Sequence, residues 1–269
     1  MRKITSCILV LGILSFANRP APFSAKEIKR SFGKIREHIY MSKFEVCNGD
    51  YKLFLAALSA ENKNEFIAAL PDTQVWQRFL GGKPLTGFYF SHPAYTNYPV
   101  VGVSYENALS YCKWMTDIYN NDAHRKFAKV IFRLPTKEEW VLAANGGDDK
   151  KQYPWGTGFL RNTRNMSLCS YKEDVVLIYD STIKKYIAAP DAANSLRMKV
   201  TSPVKSFYPS SFGMYNMSGN VAEMISEKGI AKGGSYDDPA WMVTIASEKK
   251  YTGPTADIGF RVVMEVLEN

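Results

Sequence analysis

The sequence predicts a single α+β domain that is rich in loops. Three short amphipathic helical patterns alternate with short apolar stretches typical of strands. Many of the 18 glycines and 13 prolines mark turns and loops between these segments. At 269 residues and 46% hydrophobic content, the chain can bury one sizeable core. Aromatic residues make up 13% of it, so we expect large rings to fill space between irregular segments.

The N-terminus resembles a cleaved export signal. Two basic residues precede an apolar run at 4–16, and small residues follow at the cleavage positions. We therefore assign 1–17 to a signal peptide, 18–37 to a polar leader and 38–269 to the domain. The run is shorter than the roughly 20 residues that cross a bilayer as a helix. No other stretch is long and apolar enough to do so, and we therefore expect no membrane span after signal cleavage. The expected location is the periplasm or the outer membrane, with lipid anchoring left open.

Charge and cysteine usage exclude several classes of function. The net charge of +8 is spread along the chain without an arginine-rich stripe, so nucleic-acid binding is not expected. Three cysteines would remain after signal cleavage: Cys47, Cys112 and Cys169. None has CxxC spacing, which argues against a zinc or redox site. The sequence does not decide whether two of them form a disulfide.

The first half of the chain predicts two helices after an alternating strand at 39–46. A helix begins after Asn48 as N-cap and places apolar residues at i, i+3, i+4 and i+7. A shorter helix over 64–70 ends before Pro71. The region 72–97 is rich in glycine, proline and aromatic residues and predicts a long ordered loop.

The middle of the chain carries two further helix patterns. A strand over 98–103 leads into Ser104, which caps a helix over 106–120. Thr136 and Glu139 have the spacing of a capping box at the start of the next helix, which the glycine pair 146–147 closes.

The C-terminal half predicts strands and a turn-rich segment. A hairpin is expected over 175–179 and 185–189, and strands over 241–245 and 259–263. The segment 201–223 combines turn-forming residues and aromatic rings with oxygen donors at its end. We expect such a segment to need more than backbone hydrogen bonds to hold its shape, and a bound cation is one candidate.

Seven sequence islands occur in the order and spacing of one family. They are FEVCNGDYKLF (44–54), YPVVGVSYENALSYCKWM (98–115), FRLPTKEEWVLAANGG (132–147), YPWG (153–156), TSPVKSFYPSSFGMYNMSGNVAEM (201–224), KGGSY (232–236) and GFRVV (259–263). Together they resemble the formylglycine-generating enzyme, or sulfatase-modifying factor, family over about residues 38–266. The resemblance implies the formylglycine-generating-enzyme fold, a loop-rich α+β domain related to the C-type lectin fold, with bound calcium.

A narrower resemblance lies in PDTQVW (71–76) and in the stretch 89–117. Both are similar to the gliding-motility lipoproteins of type K and J, which are linked to type IX protein secretion. The resemblance implies partners among envelope or secretion-system proteins.

The resemblance also implies a degenerate active site. The family's oxidases bind copper(I) through two cysteines shortly after GGSY, because soft thiolates suit that ion. Here Asp238 and Val243 stand at those positions, and Ala222 replaces the tryptophan of the substrate pocket. Ser235 completes this set of active-site positions. We therefore expect neither copper binding nor oxidase activity.

The family's calcium positions are better preserved. The first site corresponds to the side chains of Asn216 and Glu223 and the carbonyls of Gly219 and Val221, which are hard oxygen donors suited to calcium. A second, weaker set of candidate ligands is Asn165, the carbonyl of Met166 and, along a shifted path, Asn194 or Asp191.

These observations favour a non-catalytic exported scaffold or binding module within an envelope assembly. One alternative is an enzyme with altered chemistry that uses Asp237, Asp238 and Ser235. Another is lectin-like binding of a glycan or peptide by the aromatic region 76–98. Exposure of Trp76, Phe88, Tyr89 and Tyr95 would favour the lectin-like reading.

Overall fold

A computed structural model describes residues 25–78, 83–172, 177–182, 184–188 and 200–269. The predicted signal peptide at 1–17 lies outside the described residues. The six helices are α1 (Ala25–Ser31), α2 (Asn48–Glu61), α3 (Lys63–Ala69), α4 (Lys83–Phe88), α5 (Tyr105–Asn121) and α6 (Lys137–Asn145). The ten strands are β1 (Phe32–Arg36), β2 (Ile39–Ser42), β3 (Lys129–Arg133), β4 (Leu177–Asp180), β5 (Lys185–Ala188), β6 (Ala222–Met224), β7 (Ile230–Lys232), β8 (Glu248–Lys250), β9 (Ile258–Phe260) and β10 (Val263–Glu268). Both counts refer to the described ranges. The predicted α+β class is confirmed: the elements are short and loops separate many of them.

The domain begins before the predicted boundary at residue 38. Residues assigned to a polar leader form α1 and β1, and Ile28, Phe32 and Ile35 are buried in the core. The leader interpretation was wrong for 25–36, because its few apolar residues are buried against elements that are distant in sequence.

The main sheet brings the two ends of the domain together. Its strand order is β1-β2-β10-β3, and every neighbouring pair is antiparallel. The predicted closing strand at 259–263 is in fact two strands, since β9 belongs to another sheet and β10 begins at Val263.

Helix α5 packs on β3 of this sheet, and α2 packs on α5 through aromatic side chains. Tyr51 of α2 stacks on Tyr111 of α5 with ring centroids 5.9 Å apart, and Phe54 meets Tyr111 edge to face. Ser104 caps α5 as predicted, accepting a hydrogen bond from the amide of Asn107. Asn48, in contrast, is not an N-cap. It lies inside α2, whose N-cap is Cys47, and its buried amide donates to two carbonyls of the region 89–95.

Helix α6 has the predicted capping box and C-terminal glycine. Thr136 Oγ1 accepts from the amide of Glu139, and the Glu139 carboxylate accepts from the amide of Thr136. Gly146 adopts φ of 65°, a left-handed conformation that a residue with a Cβ rarely enters. The box sets the direction of α6, which places Trp140 against the second sheet.

The second sheet has the order β8-β7-β6-β9, with β6 and β9 parallel. Strands β4 and β5 form the predicted hairpin. Three other predictions were wrong. Residues 98–103 make one isolated bridge, Cys47 to Pro99, and 241–245 contain a 3-10 turn at Ala240–Met242. The region 72–97 is not a continuous loop, because it contains α4 and 3-10 helices at Thr73–Arg78 and Pro93–Tyr95.

Within the described ranges, none of the helices combines the length and the apolar character needed to cross a membrane.

Lys232, at the end of β7, is a buried lysine with a lowered pKa. Its Nζ donates to the carbonyl of Ala246 at 3.0 Å and lies 5.7 Å from the ring centroid of Trp140. Burial lowers the pKa of this amine to about 8, against the opposing charge of Glu248. Between about pH 8 and the ordinary value of 10.5, the unfolded chain therefore binds a proton that the folded chain does not.

We expect the free energy of unfolding to rise with pH across this window and to fall as pH drops through 8. Replacing Lys232 by methionine should flatten the rise. Urea unfolding of both proteins from about pH 7 to about pH 10 measures the difference, and parallel profiles would contradict the assignment.

Candidate functional site

The segment 201–223 forms a tight loop whose backbone is partly left-handed. Asn216, Gly219 and Asn220 have φ of 55°, 74° and 63°. A Cβ on Gly219 would lie 2.0 Å from the carbonyl oxygen of Ser170, so only glycine fits there. Asparagine tolerates this conformation better than most residues. Glycine and asparagine therefore allow the chain to turn back on itself at the predicted calcium positions.

Glu223 takes part in a fully buried ion pair. Arg261 Nε donates to Glu223 Oε2 at 2.6 Å, and Arg261 Nη2 donates to Oε1 at 2.5 Å. Trp140 Nε1 also donates to Oε2, at 2.8 Å. Both partners of the ion pair are almost completely buried. Arg261 also donates to the carbonyls of Ser42 and Tyr215, so one guanidinium joins β2, the loop and β6.

Glu45 adds a second buried carboxylate that sequence reasoning missed. It accepts from Asn216 Nδ2 at 3.1 Å and from Asn220 Nδ2 at 2.7 Å. Burial raises the pKa of Glu45 to about 8; Arg261 opposes the rise and Glu223 adds to it. The only sequence signal was its place in the island FEVCNGDYKLF, which does not reveal a partner 171 residues away.

The donor set at the first predicted calcium site fits a cation in part. The Oδ1 atom of Asn216 is buried and has no hydrogen-bond partner among the described residues, while its Nδ2 has two acceptors. An orphan buried oxygen of this kind is suited to a hard cation. Glu223 Oε1 accepts only from Arg261 among the described hydrogen bonds and retains one lone pair. Asn216 and Glu223 would therefore be the side-chain ligands, with the carbonyls of Gly219 and Val221.

The second predicted calcium site has less support. Asn165 Oδ1 lies 3.5 Å from a guanidinium nitrogen of Arg161, and the Met166 carbonyl accepts from the amide of Asn162. Asn165 Oδ1 thus has a hydrogen-bond donor nearby, whereas Asn216 Oδ1 has no partner among the described residues. Asn194 and Asp191 lie outside the described residues. No group of three or more His, Cys, Asp or Glu side chains suited to a metal occurs in the described part of the chain.

The degenerate active-site positions are buried. Ser235, Val243 and Ala222 are fully enclosed, and Asp238 is 9% exposed. Val243 packs in a small cluster with Tyr153 and Cys169.

An ion-pair network surrounds Asp238. Lys249 Nζ lies 2.7 and 2.6 Å from the two oxygens of Asp238 and 2.5 Å from Asp257 Oδ2. Ser235 Oγ donates to Asp238 at 2.7 Å, and Arg78 reaches Asp257 at 3.0 Å. Burial opposes ionisation of Asp257, but Lys249 and Arg78 lower the pKa of its carboxyl. Charged side chains from four segments therefore meet where the family resemblance places a thiolate.

The sequence pointed to Asp237, Asp238 and Ser235 but missed Lys249, Asp257 and Arg78. These three residues follow no motif, and only the fold brings them together. Asp237 lies at the edge of the network, 3.5 Å from Arg78 and 3.6 Å from Lys172.

The aromatic region 76–98 is mostly part of the core. Trp76 and Tyr89 are buried with ring centroids 4.6 Å apart, and Tyr95 is partly buried. Phe88 is 55% exposed and lines a shallow groove of about 390 Å³ with Pro84, Leu85, His92, Ala94 and Tyr95.

Cys47, Cys112 and Cys169 are buried, and no disulfide joins them to one another. Burial raises the pKa of the Cys47 and Cys112 thiols to about 12. Neither thiol is therefore suited to act as a thiolate ligand.

A family model for the sulfatase-modifying factor enzyme 1-like domain (FGE-sulfatase) matches residues 23–266. The chain belongs to this family. The match begins upstream of the predicted boundary at residue 38, in agreement with the structural role of α1 and β1. The predicted resemblance to the formylglycine-generating-enzyme family is confirmed.

Curated relatives include active and inactive members of this FGE-sulfatase family. The chain is 30% identical to the formylglycine-generating enzyme of Thermomonospora curvata over 54% of its own length and 38% of the relative's. It is 29% identical to the inactive Cα-formylglycine-generating enzyme 2 of Bos taurus over 70% of its length and 53% of the relative's. The chain thus spans about half of the length of these relatives or less.

Solved structures support the FGE-sulfatase fold. Treponema denticola variable protein 1 has a TM-score of 0.53 at 16% identity, with 84% of each chain covered. PvdO from Pseudomonas aeruginosa has a TM-score of 0.52 at 17% identity, with 84% of this chain and 80% of that chain covered. At these identities the likeness shows the fold only.

Proposed function

We propose that this FGE-sulfatase domain is a non-catalytic, exported scaffold or binding module. The observation that carries the proposal is the network at Asp238, Asp257 and Lys249. A protonated amine and two carboxylates occupy the place of a soft copper ligand, and Val243 is an apolar side chain at the other ligand position. The similarity to the inactive Bos taurus relative supports the same reading.

The partner we infer is a protein of a cell-envelope assembly for secretion or gliding. This inference rests on the stretches 71–76 and 89–117 and on the signal-like N-terminus. Purification from the native envelope in mild detergent should yield a defined complex. Recovery of the protein only as a free monomer would count against it.

Absence of oxidase chemistry is tested separately. We expect the purified chain to bind no copper(I) under anaerobic conditions and to leave a cysteine-containing peptide unoxidised, as read by mass spectrometry. A formylglycine enzyme assayed in parallel provides the positive control. Conversion of the peptide by the wild-type chain would overturn the non-catalytic proposal.

Glycan or peptide binding at the groove beside Phe88 is a second candidate function. An exposed ring next to His92 and Tyr95 can stack on a flat apolar face of a ligand. Loss of binding to a glycan or peptide array in Phe88→Ala, but not in a variant of the exposed Ile67, would support it. Enzymatic use of Ser235 has weaker support, because Lys249, the amine nearest to its hydroxyl, is already bound to two carboxyl side chains.

We further propose that calcium is the cation bound at Asn216. A ligand that binds only the folded chain raises its melting temperature. We expect melting in millimolar calcium to exceed melting in chelator by several degrees, and we expect Asn216→Ala to lose most of this difference. Equal melting temperatures, together with no metal in elemental analysis, would exclude calcium.

A further inference from the structure

The amide of Asn216 is held in one orientation. Its Nδ2 donates to Glu45 Oε2 and to the carbonyl of Val204, both at 3.1 Å. Rotating the amide by half a turn would place its oxygen against two acceptors. Oδ1 therefore stays on the opposite side, where it is buried and has no partner among the described residues.

Glu45 holds a second amide of the same loop. Asn220 Nδ2 donates to Glu45 Oε1 at 2.7 Å, and Asn220 Oδ1 accepts from the amide of Ser202 at 2.7 Å. Each oxygen of one carboxylate thus receives one asparagine. The backbone next to Glu45 is itself fixed, since the amide of Val46 donates to the carbonyl of Phe260 and that of Val100 to the carbonyl of Val46.

We propose that Glu45 is a positioning residue for a hard divalent cation at Asn216. Its carboxylate accepts from both amides and so presents Asn216 Oδ1 to the cation. The inference rests on the proposed calcium site and adds a residue outside the four-residue ligand set. The role needs a side chain with two acceptor oxygens, because the Nδ2 groups of Asn216 and Asn220 each donate to a different oxygen of Glu45.

Two variants separate this role from a general effect on folding. Glu45→Gln offers one acceptor oxygen and one NH2 group, which would face an asparagine NH2, so one amide loses its orientation. Glu45→Asp keeps the carboxyl group but is one methylene shorter and cannot reach both amides without movement. Glu61→Gln, on the exposed face of α2, is the matched control.

The experiment measures calcium affinity by titration calorimetry on the full chain, with circular dichroism in chelator as the check on folding. We expect Glu45→Gln and Glu45→Asp each to weaken calcium binding at least tenfold, and Glu61→Gln to bind like the wild type. If Glu45→Gln does not fold, Glu45→Asp decides the question.

Unchanged affinity in a folded Glu45 variant would overturn the positioning role and leave the calcium site standing. No calcium binding by the wild type would overturn both the site and the role. Neither result bears on the missing copper ligands, so the non-catalytic proposal is tested independently.

Discussion

Replacing Arg261 by methionine is expected to lower the free energy of unfolding by about 3–5 kcal/mol. The guanidinium is completely buried and is bound to both oxygens of Glu223. Its removal would leave Glu223 without a counter-charge, near the second buried carboxylate of Glu45. Two backbone carbonyls, those of Ser42 and Tyr215, would also lose their donor. Urea unfolding monitored by tryptophan fluorescence measures the loss.

The control for this prediction is Arg164→Met. Arg164 is an exposed arginine, and surface substitutions of this kind change stability by about 0.5 kcal/mol or less. A loss below about 1 kcal/mol in Arg261→Met would show that the cluster tolerates the missing counter-charge, either because Glu223 takes up a proton or because another positive charge is present. Repeating the measurement with and without calcium shows whether the cation supplies that charge.

Replacing Lys249 by methionine should cost about 3 kcal/mol, because two largely buried carboxylates would lose a shared counter-charge. Carboxylate oxygens of Asp238 and Asp257 both lie within 2.7 Å of Lys249 Nζ. After the substitution, Arg78 would still contact the other oxygen of Asp257, at 3.0 Å. Lys250→Met, next to it on β8, is the matched control and should have little effect.

A double variant sharpens the second prediction. Adding Asp238→Leu to Lys249→Met removes one of the two buried carboxylates that lack a counter-charge, so part of the lost stability should return. If Lys249→Met alone is as stable as the wild type, the network does not hold these segments together. The proposed replacement of a metal site by an ion-pair network would then lose its energetic basis.

Local signals predicted α2, α3, α5 and α6, but α1 and α4 were missed. The caps at Ser104 and Thr136 and the C-terminal glycine at 146 each involve atoms only a few residues apart, so sequence spacing is enough to find them. The strands were predicted poorly. The segment 241–245 is mostly apolar but begins in the 3-10 turn Ala240–Met242 and forms no strand, and 32–36 is a strand because β2 lies beside it.

In the candidate site, too, residues close together along the chain were predicted and distant partners were missed. The motif placed Asn216 and Glu223 in one segment, and in the structure Arg261 bonds both Glu223 and the carbonyl of Tyr215, which precedes Asn216. Their partners Glu45, Trp140 and Arg261 lie 171, 83 and 38 residues away from the atoms they bind. Sequence spacing carries no information at such separations without a fold to relate them.

The position of β10 in the main sheet affects the order in which the chain folds. β10 lies between β2 and β3, so the sheet lacks an interior strand until residues 263–268 are present. Pairing between residues 39–41 and 263–265 closes a loop of more than two hundred residues, which favours slow, late completion of the domain. During synthesis, the edge of β2 that pairs with β10 therefore stays unpaired until residues 263–268 have been made. A chain shortened by those last residues would lose the centre of the sheet, and we expect it to aggregate.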